Sequence, residues 1–176
     1  MDDKTWLGAL AEAKTTARLI EQRWDVFTST TGKTPCDLIA AKGGVLLRVE
    51  VKGCGVCQPS GGFTVNLKSI RPNRSGNTIR YLDPSVSDVV AIFVGPVDAV
   101  CFFWTRDLAG RSTITVHQTP DPRGRTRTLI DDYAKLDDGA VAEWTKATAL
   151  KVVDPQGSVG SNPTRSAFEK REVLQT

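Results

Sequence analysis

A chain of 176 residues, 40% apolar and 24% charged, can form one domain with a real core and is too balanced to be disordered. No run approaches the length of a bilayer span, and the acidic start Met1-Asp2-Asp3 is unlike a secretion signal. The expectation is a cytoplasmic protein with no membrane partner. A net charge of +3 does not by itself declare a nucleic-acid binder.

Residues 3–22 read as a first helix, with Leu7, Leu10, Ala13, Ala17 and Ile20 at three- and four-residue spacing. Trp24 to Phe27 reads as a strand and Thr28 to Thr34 as a polar loop. Two apolar runs then flank Gly43-Gly44: Leu38 to Ala41, and Val45 to Lys52. That pattern predicts a β-hairpin. Side chains alternate along a strand, so Arg48, Glu50 and Lys52 share one face while Leu47, Val49 and Val51 face a core. With Asp37 on the neighbouring strand, two carboxylates and a lysine converge. Such a trio suits phosphodiester hydrolysis: the oxygens hold a hard cation of the Mg²⁺ type, and the lysine orients or deprotonates water. The plainer alternative is a surface pair Glu50/Lys52 beside a turn-capping Asp37.

Gly53-Cys54-Gly55 and Pro59 to Gly62 break regular structure, and Gln58 between them is placed to position water or a phosphate. Phe63 to Leu67 alternates like a half-exposed strand. From Ser69 to Arg80 the sequence reads as a flexible loop. With Lys68 just before it, it carries Arg71, Arg74 and Arg80, a basic cluster suited to DNA phosphates. Val89 to Val94 is a buried strand, Gly95 to Asp98 a turn, and Ala99 to Trp104 its hairpin partner. Ser112 to Val116 adds an edge strand. These elements make an α/β domain around one central mixed sheet. Thr119 onward reads as a linker, followed by a short helix over Leu129–Leu136. Arg123, Arg125 and Arg127 are either a second phosphate-binding cluster or solubilising charge. Four cysteines include the pair Cys54/Cys57, but no second such pair follows, so reduced thiols are expected rather than zinc.

Pro35, Asp37, Glu50 and Lys52 together resemble the PD-(D/E)XK nuclease signature. Gly8 to Ala13 resembles the family's first helix, which carries a glutamate near the metal, here Glu12. Tyr81 to Pro84 and Ser87 to Ile92 resemble later strands of its homing-endonuclease and Holliday-junction-resolvase branches. The resemblance covers roughly residues 5–110. It implies a restriction-endonuclease-like fold with helices flanking the sheet, and Mg²⁺ (or Mn²⁺) as cofactor. Asp37, Glu50 and the Val51 carbonyl would be the metal ligands, with Glu12 as a further partner and Lys52 as the catalytic amine. It implies a homodimer acting on duplex or branched DNA. The branches leave open a homing endonuclease, a junction resolvase or a restriction-type enzyme. A catalytically silent DNA-binding module on the same fold is the non-enzymatic alternative.

The last part of the chain reads differently. Val159 to Thr164 can be back-translated as GTG GGT TCG AAT CCC ACC, which pairs as the T-arm of a transfer RNA. Thr148 to Val153 can be written as an anticodon arm for leucine. The segment therefore resembles a translated leucine tRNA gene, and it is expected to be poorly structured apart from a weak helix over 140–153. The expected domain plan is a nuclease-like domain at 1–118, a linker and short helix at 119–138, and a tail at 139–176.

Overall fold

The computed structural model describes residues 3–30, 34–73 and 76–136, and for 70–78 it describes the backbone alone. The chain divides into two units, Met1–Asp137 and Asp138–Thr176. The expectations for the tail and its weak helix lie outside the described residues.

In chain order the elements are α1 (Asp3–Glu21), β1 (Asp25–Thr28), β2 (Leu38–Lys42), β3 (Val45–Cys54), β4 (Gly62–Asn66), β5 (Ser69–Asn73) and β6 (Gly76–Arg80). Then follow β7 (Val89–Val94), β8 (Ala99–Trp104), α2 (Thr105–Leu108) and β9 (Thr113–His117). Helix α1 stops because Arg23 takes a positive φ of 66°. The Trp24 N–H then donates to Leu19 O at 3.0 Å and the Arg23 N–H to Ile20 O at 2.9 Å. This is a Schellman stop with arginine where glycine is usual. The β2–β3 hairpin forms as expected, because Gly43 and Gly44 both adopt the positive φ that its two-residue turn requires.

The central sheet has the order β1-β2-β3-β7-β8. All its neighbours are antiparallel except β3 and β7, so the sheet is mixed. Leu38, Ala40, Leu47 and Val49 are buried on the face covered by α1. The helix buries Ala11, Thr15 and Leu19 there. The stripe expected from the sequence is therefore displaced. Leu10 is 37% and Ile20 56% exposed, and Ala13 and Ala17 face solvent. The displacement has a steric cause: a Cβ on Gly53 would meet Leu7 Cγ at 3.0 Å and Ala11 Cβ at 3.5 Å, so small residues are selected where helix and strand meet.

The other face of the sheet is covered by strands. Antiparallel β4 and β9 form a separate two-stranded sheet, and Phe63, Val65, Leu67, Ile114 and Val116 pack with Cys54, Val90, Ile92, Val94 and Phe103. The segment Ser112–Val116 is thus paired with β4 rather than added to the central edge. The expected flexible loop Ser69–Arg80 is instead an antiparallel ribbon, β5–β6, with Ser69 opposite Arg80 and Ile70 opposite Ile79. Main-chain pairing from Ser69 opposite Arg80 to Asn73 opposite Gly76 gives the backbone a ladder that composition alone concealed.

The segment read as a linker packs on the domain. The Asp121 carboxylate is buried and takes the Arg123 N–H at 2.8 Å, Arg125 Nε at 2.9 Å and Arg127 Nη2 at 3.2 Å. Ile130 and Leu136 are buried, and Tyr133 stacks on Phe103 with ring centroids 4.3 Å apart. Gln22, just past the end of α1, holds the end of the segment, donating to Ala134 O and accepting from the Leu136 N–H. The helix expected over Leu129–Leu136 is only a 3₁₀ turn, Asp131–Tyr133. Leu129 pairs as an isolated bridge with His117.

Candidate active site

Strand β3 presents Glu50 and Lys52 on the face away from α1, as alternation dictates, and Leu47 and Val49 on the helix face. The β2–β3 register ends with Leu38 against Val49, and Asp37, one residue earlier, stays on β3 beside Val49, within electrostatic reach of Glu50. The Asp37 N–H donates to Val49 O at 3.0 Å, and its Oδ2 accepts the Val51 N–H at 2.7 Å. Asp37 thus locks the end of β2 to β3 through main chain and side chain together. The N–H and C=O of one strand residue lie along the same strand edge, so the Val51 carbonyl also lies on the Asp37 side of β3. Lys52 Nζ donates to Glu50 Oε1. One oxygen of each carboxylate is committed in this way, which leaves Asp37 Oδ1 and Glu50 Oε2.

Burial, and after it the Glu50 charge, raises the Asp37 carboxyl above its ordinary value, although the Val51 N–H and the Lys52 charge pull the other way. Glu12, on the rim of α1, is raised by burial first and then by the Asp37 charge, which places the two carboxylates within electrostatic reach. Among the described residues no group of three or more His, Cys, Asp or Glu side chains is gathered as a metal cage. Two facing carboxylates and a main-chain carbonyl form a sparse, hard-oxygen donor set. It fits a small divalent cation that keeps several waters and takes further oxygens from a phosphate. The raised Asp37 fits it too, since a cation there would relieve the repulsion from Glu50.

Asp37 and Glu50 open into a polar cleft of about 180 Å³. Thr34 and Pro35 line it on the β2 side, Ser69 and Arg80 at the base of the β5–β6 ribbon, and Tyr81, Asp83 and Ser87 on the segment before β7. Arg48 pins this last segment. Its Nε and Nη2 grip the two oxygens of the buried Asp88 carboxylate at 3.0 and 2.8 Å, and the Arg48 N–H adds a third bond at 2.8 Å. The same guanidinium donates to Ser85 O and Pro84 O. Alternation puts Arg48 on the Glu50 face, but nothing in the sequence pointed to Asp88 as its partner or to Asp83 and Ser87 as cleft wall.

The other sequence-predicted residues are less gathered. Lys68 is half-buried just outside the cleft, next to Leu67, which lines it. Arg71 lies on β5 with its side chain outside the description, and Arg74 is outside the described residues. Gln58 is exposed, and its main chain closes a turn with Gly61 and Gly62. Arg125 and Arg127 of the second basic cluster are engaged by Asp121. All four cysteines are free thiols: Cys36, Cys54 and Cys101 are buried and Cys57 is exposed.

An α/β sheet with an acidic pair and a lysine at the centre, facing an open polar cleft, is the arrangement of a nuclease. A family model described as PD-(D/E)XK endonuclease matches residues 1–135, and the chain belongs to that family. The fold is also that of a solved bacterial homing endonuclease, I-Ssp6803I. The likeness has a TM-score of 0.67 at 20% identity and covers 85% of this chain and 99% of that one. A comparison with curated proteins finds no match.

Proposed function

We propose that this member of the endonuclease family is a metal-dependent deoxyribonuclease of the homing type, carried by a mobile element and acting in the cytoplasm as a homodimer. The observation that carries the catalytic reading is that Asp37, bonded to the Val49 and Val51 main chain, and Glu50, paired to Lys52, line one polar cleft. In this reading Asp37, Glu50 and the Val51 carbonyl hold Mg²⁺ (or Mn²⁺), as members of the family generally use divalent ions. When bound, such an ion neutralises phosphate charge and acidifies water. Lys52 uses one N–H on Glu50, and its remaining donors orient the attacking water and stabilise the charge that grows on the phosphorus oxygens. Glu12 is an outer partner, acting on Asp37 through the field or through water. Lys68, Arg71 and Arg74 contact the DNA backbone, and Gln58 is a further candidate for water or phosphate.

The homing assignment is supported by the fold likeness to I-Ssp6803I and by the tRNA-like reading of residues 139–167, since integrating elements commonly sit in tRNA genes. The dimer is supported by the outer face of α1, where Trp6 (66% exposed), Leu10, Ala13, Ala17 and Ile20 recur at the four- and three-residue spacing of a helix-pairing seam. The test is nicking of supercoiled plasmid with Mg²⁺, with EDTA, and by Lys52→Ala. Cleavage by the wild type that EDTA and Lys52→Ala both abolish is expected. Binding of the plasmid without nicking in any divalent ion would instead make the chain a silent binding module. A four-way junction offered beside a linear duplex separates the resolvase alternative: preferential cutting of the junction would overturn the homing assignment.

A further inference from the structure

The cleft raises an electrostatic question that Asp37 and Glu50 alone leave open. A phosphodiester approaching two carboxylates is repelled, and the two cations on that strand face each already hold a carboxylate partner. Lys52 is bound to Glu50, and Arg48 is bound to Asp88 and two carbonyl oxygens. Arg80 differs. It ends β6 opposite Ser69, so the ribbon's first cross-strand pair forms one wall of the cleft that Asp37 and Glu50 line. Its side chain is exposed, and among the described residues it hydrogen-bonds to no carboxylate. Asp83 lies within electrostatic reach, but its Oδ1 is occupied by the Ser85 N–H at 2.8 Å and the Ser85 hydroxyl at 2.7 Å. The Asp83 charge therefore biases where the guanidinium sits without pairing with it.

We infer that Arg80 is a catalytic residue: its guanidinium grips the non-bridging oxygens of the phosphodiester being cut, across the cleft from Asp37 and Glu50. The planar fork matches two phosphate oxygens, which a lysine ammonium does not. Ser69, its cross-strand partner, offers a hydroxyl at the same wall. Negative charge on those oxygens grows as the attacking water adds to phosphorus, so a contact at this point acts on rate more than on binding. This separates Arg80 from Arg71, which lies farther along the ribbon on β5 and would contact DNA away from the scissile bond.

The inference rests on the nuclease reading, and the experiment distinguishes their failures. Full-length protein in excess over supercoiled plasmid is assayed in Mg²⁺, with plasmid binding measured separately in Ca²⁺. Arg80→Ala and Arg80→Gln should each lower the saturating nicking rate by about 100-fold, the usual size for loss of one transition-state donor. Binding in Ca²⁺ should change by less than about threefold, as befits one phosphate contact among many. Arg80→Lys should recover part of the rate. If the wild type nicks and the Arg80 variants match it at saturation, losing only affinity, Arg80 is a backbone contact and the inference falls alone. If the wild type does not nick in any divalent ion, the nuclease reading falls first.

Discussion

Asp37 pays for its position with stability. Its carboxyl is raised by burial and by Glu50, so between the unfolded value, about 3.9, and the raised folded one the native state binds more protons than the unfolded chain. Stability therefore falls as pH rises through that window, and the loss is complete above the folded pKa. Asp37→Asn keeps an oxygen for the Val51 N–H and removes the charge. It is expected to melt a few degrees higher than wild type at neutral pH in EDTA, by about 1 kcal/mol, while losing cleavage. Added Mg²⁺ should raise the melting point of the wild type and not that of the variant. Equal melting points in EDTA would show that the site carries no such strain. The Arg48–Asp88 fork is the opposite case. Asp88→Ala leaves a guanidinium without its fork partner and releases the segment that walls the cleft. A loss of about 2–3 kcal/mol is expected, below the range for a fully buried pair because Arg48 is partly exposed. At this scale the sequence was most legible. Alternation along β3 put Arg48, Glu50 and Lys52 on one face, and the glycine turn fixed the register that brings in Asp37. Asp88 was not legible, because it meets Arg48 only through the parallel β3–β7 pairing, which no local pattern announces.

Among the elements, α1 shows how a correct periodicity can select the wrong face. Leu7, Leu10, Ala13, Ala17 and Ile20 are a good apolar stripe, and Leu7 does reach Gly53, yet the residues the helix buries are Ala11, Thr15 and Leu19, because Gly53 lets it approach the sheet closely. Two predictions follow from the two faces. Gly53→Ala drives a methyl into Leu7 and Ala11, and a loss of about 1–3 kcal/mol is expected in a denaturant titration. An unchanged midpoint would mean that the helix yields without cost. On the outer face, Trp6→Lys with Ile20→Lys should leave folding intact and shift sedimentation from dimer to monomer. A monomeric wild type would remove the seam's role. The β5–β6 ribbon was concealed for another reason: its Gly, Asn, Ser and Pro content reads as loop, and its order comes from cross-strand pairing that composition does not encode.

For the whole molecule, the domain boundary inferred from composition lies too early. Pro120 to Arg125 has the look of a linker, but Asp121 is buried beneath two arginines, Ile130 and Tyr133 pack with Phe103, and Leu136 is buried with its N–H held by Gln22. A chain ending at 118 should lose more than about 4 kcal/mol, since two large apolar side chains leave the core along with the ion network. A chain ending at 138 should melt as the full-length protein does. Intact stability for the shorter form would restore the linker reading. Because the Asp121 carboxyl is lowered, by the Arg123 N–H first and then by Arg125 and Arg127, its contribution is present above the unfolded carboxylate range and is lost as acid brings the pH through the lower folded value. Asp121→Asn should therefore flatten the acid end of the stability profile.

The strand that carries Glu50 and Lys52 belongs to two partnerships of very different reach. To β2 it is joined by a two-residue turn; to β7 it pairs in parallel only after the whole β4–β6 segment has been laid down between them. Closing that long loop costs entropy before any contact repays it, so the hairpin should assemble early and the parallel pairing late. The order has a kinetic consequence. Asp37 meets Glu50 in the early hairpin, whereas the wall bearing Asp83 and Ser87 docks only when β7 does. During refolding, hydrogen-exchange protection should reach the Leu47 and Val49 amides before those of Val89 and Ala91, whose N–H groups face β3 rather than β8, and the ability to cut DNA should return with the second, slower phase.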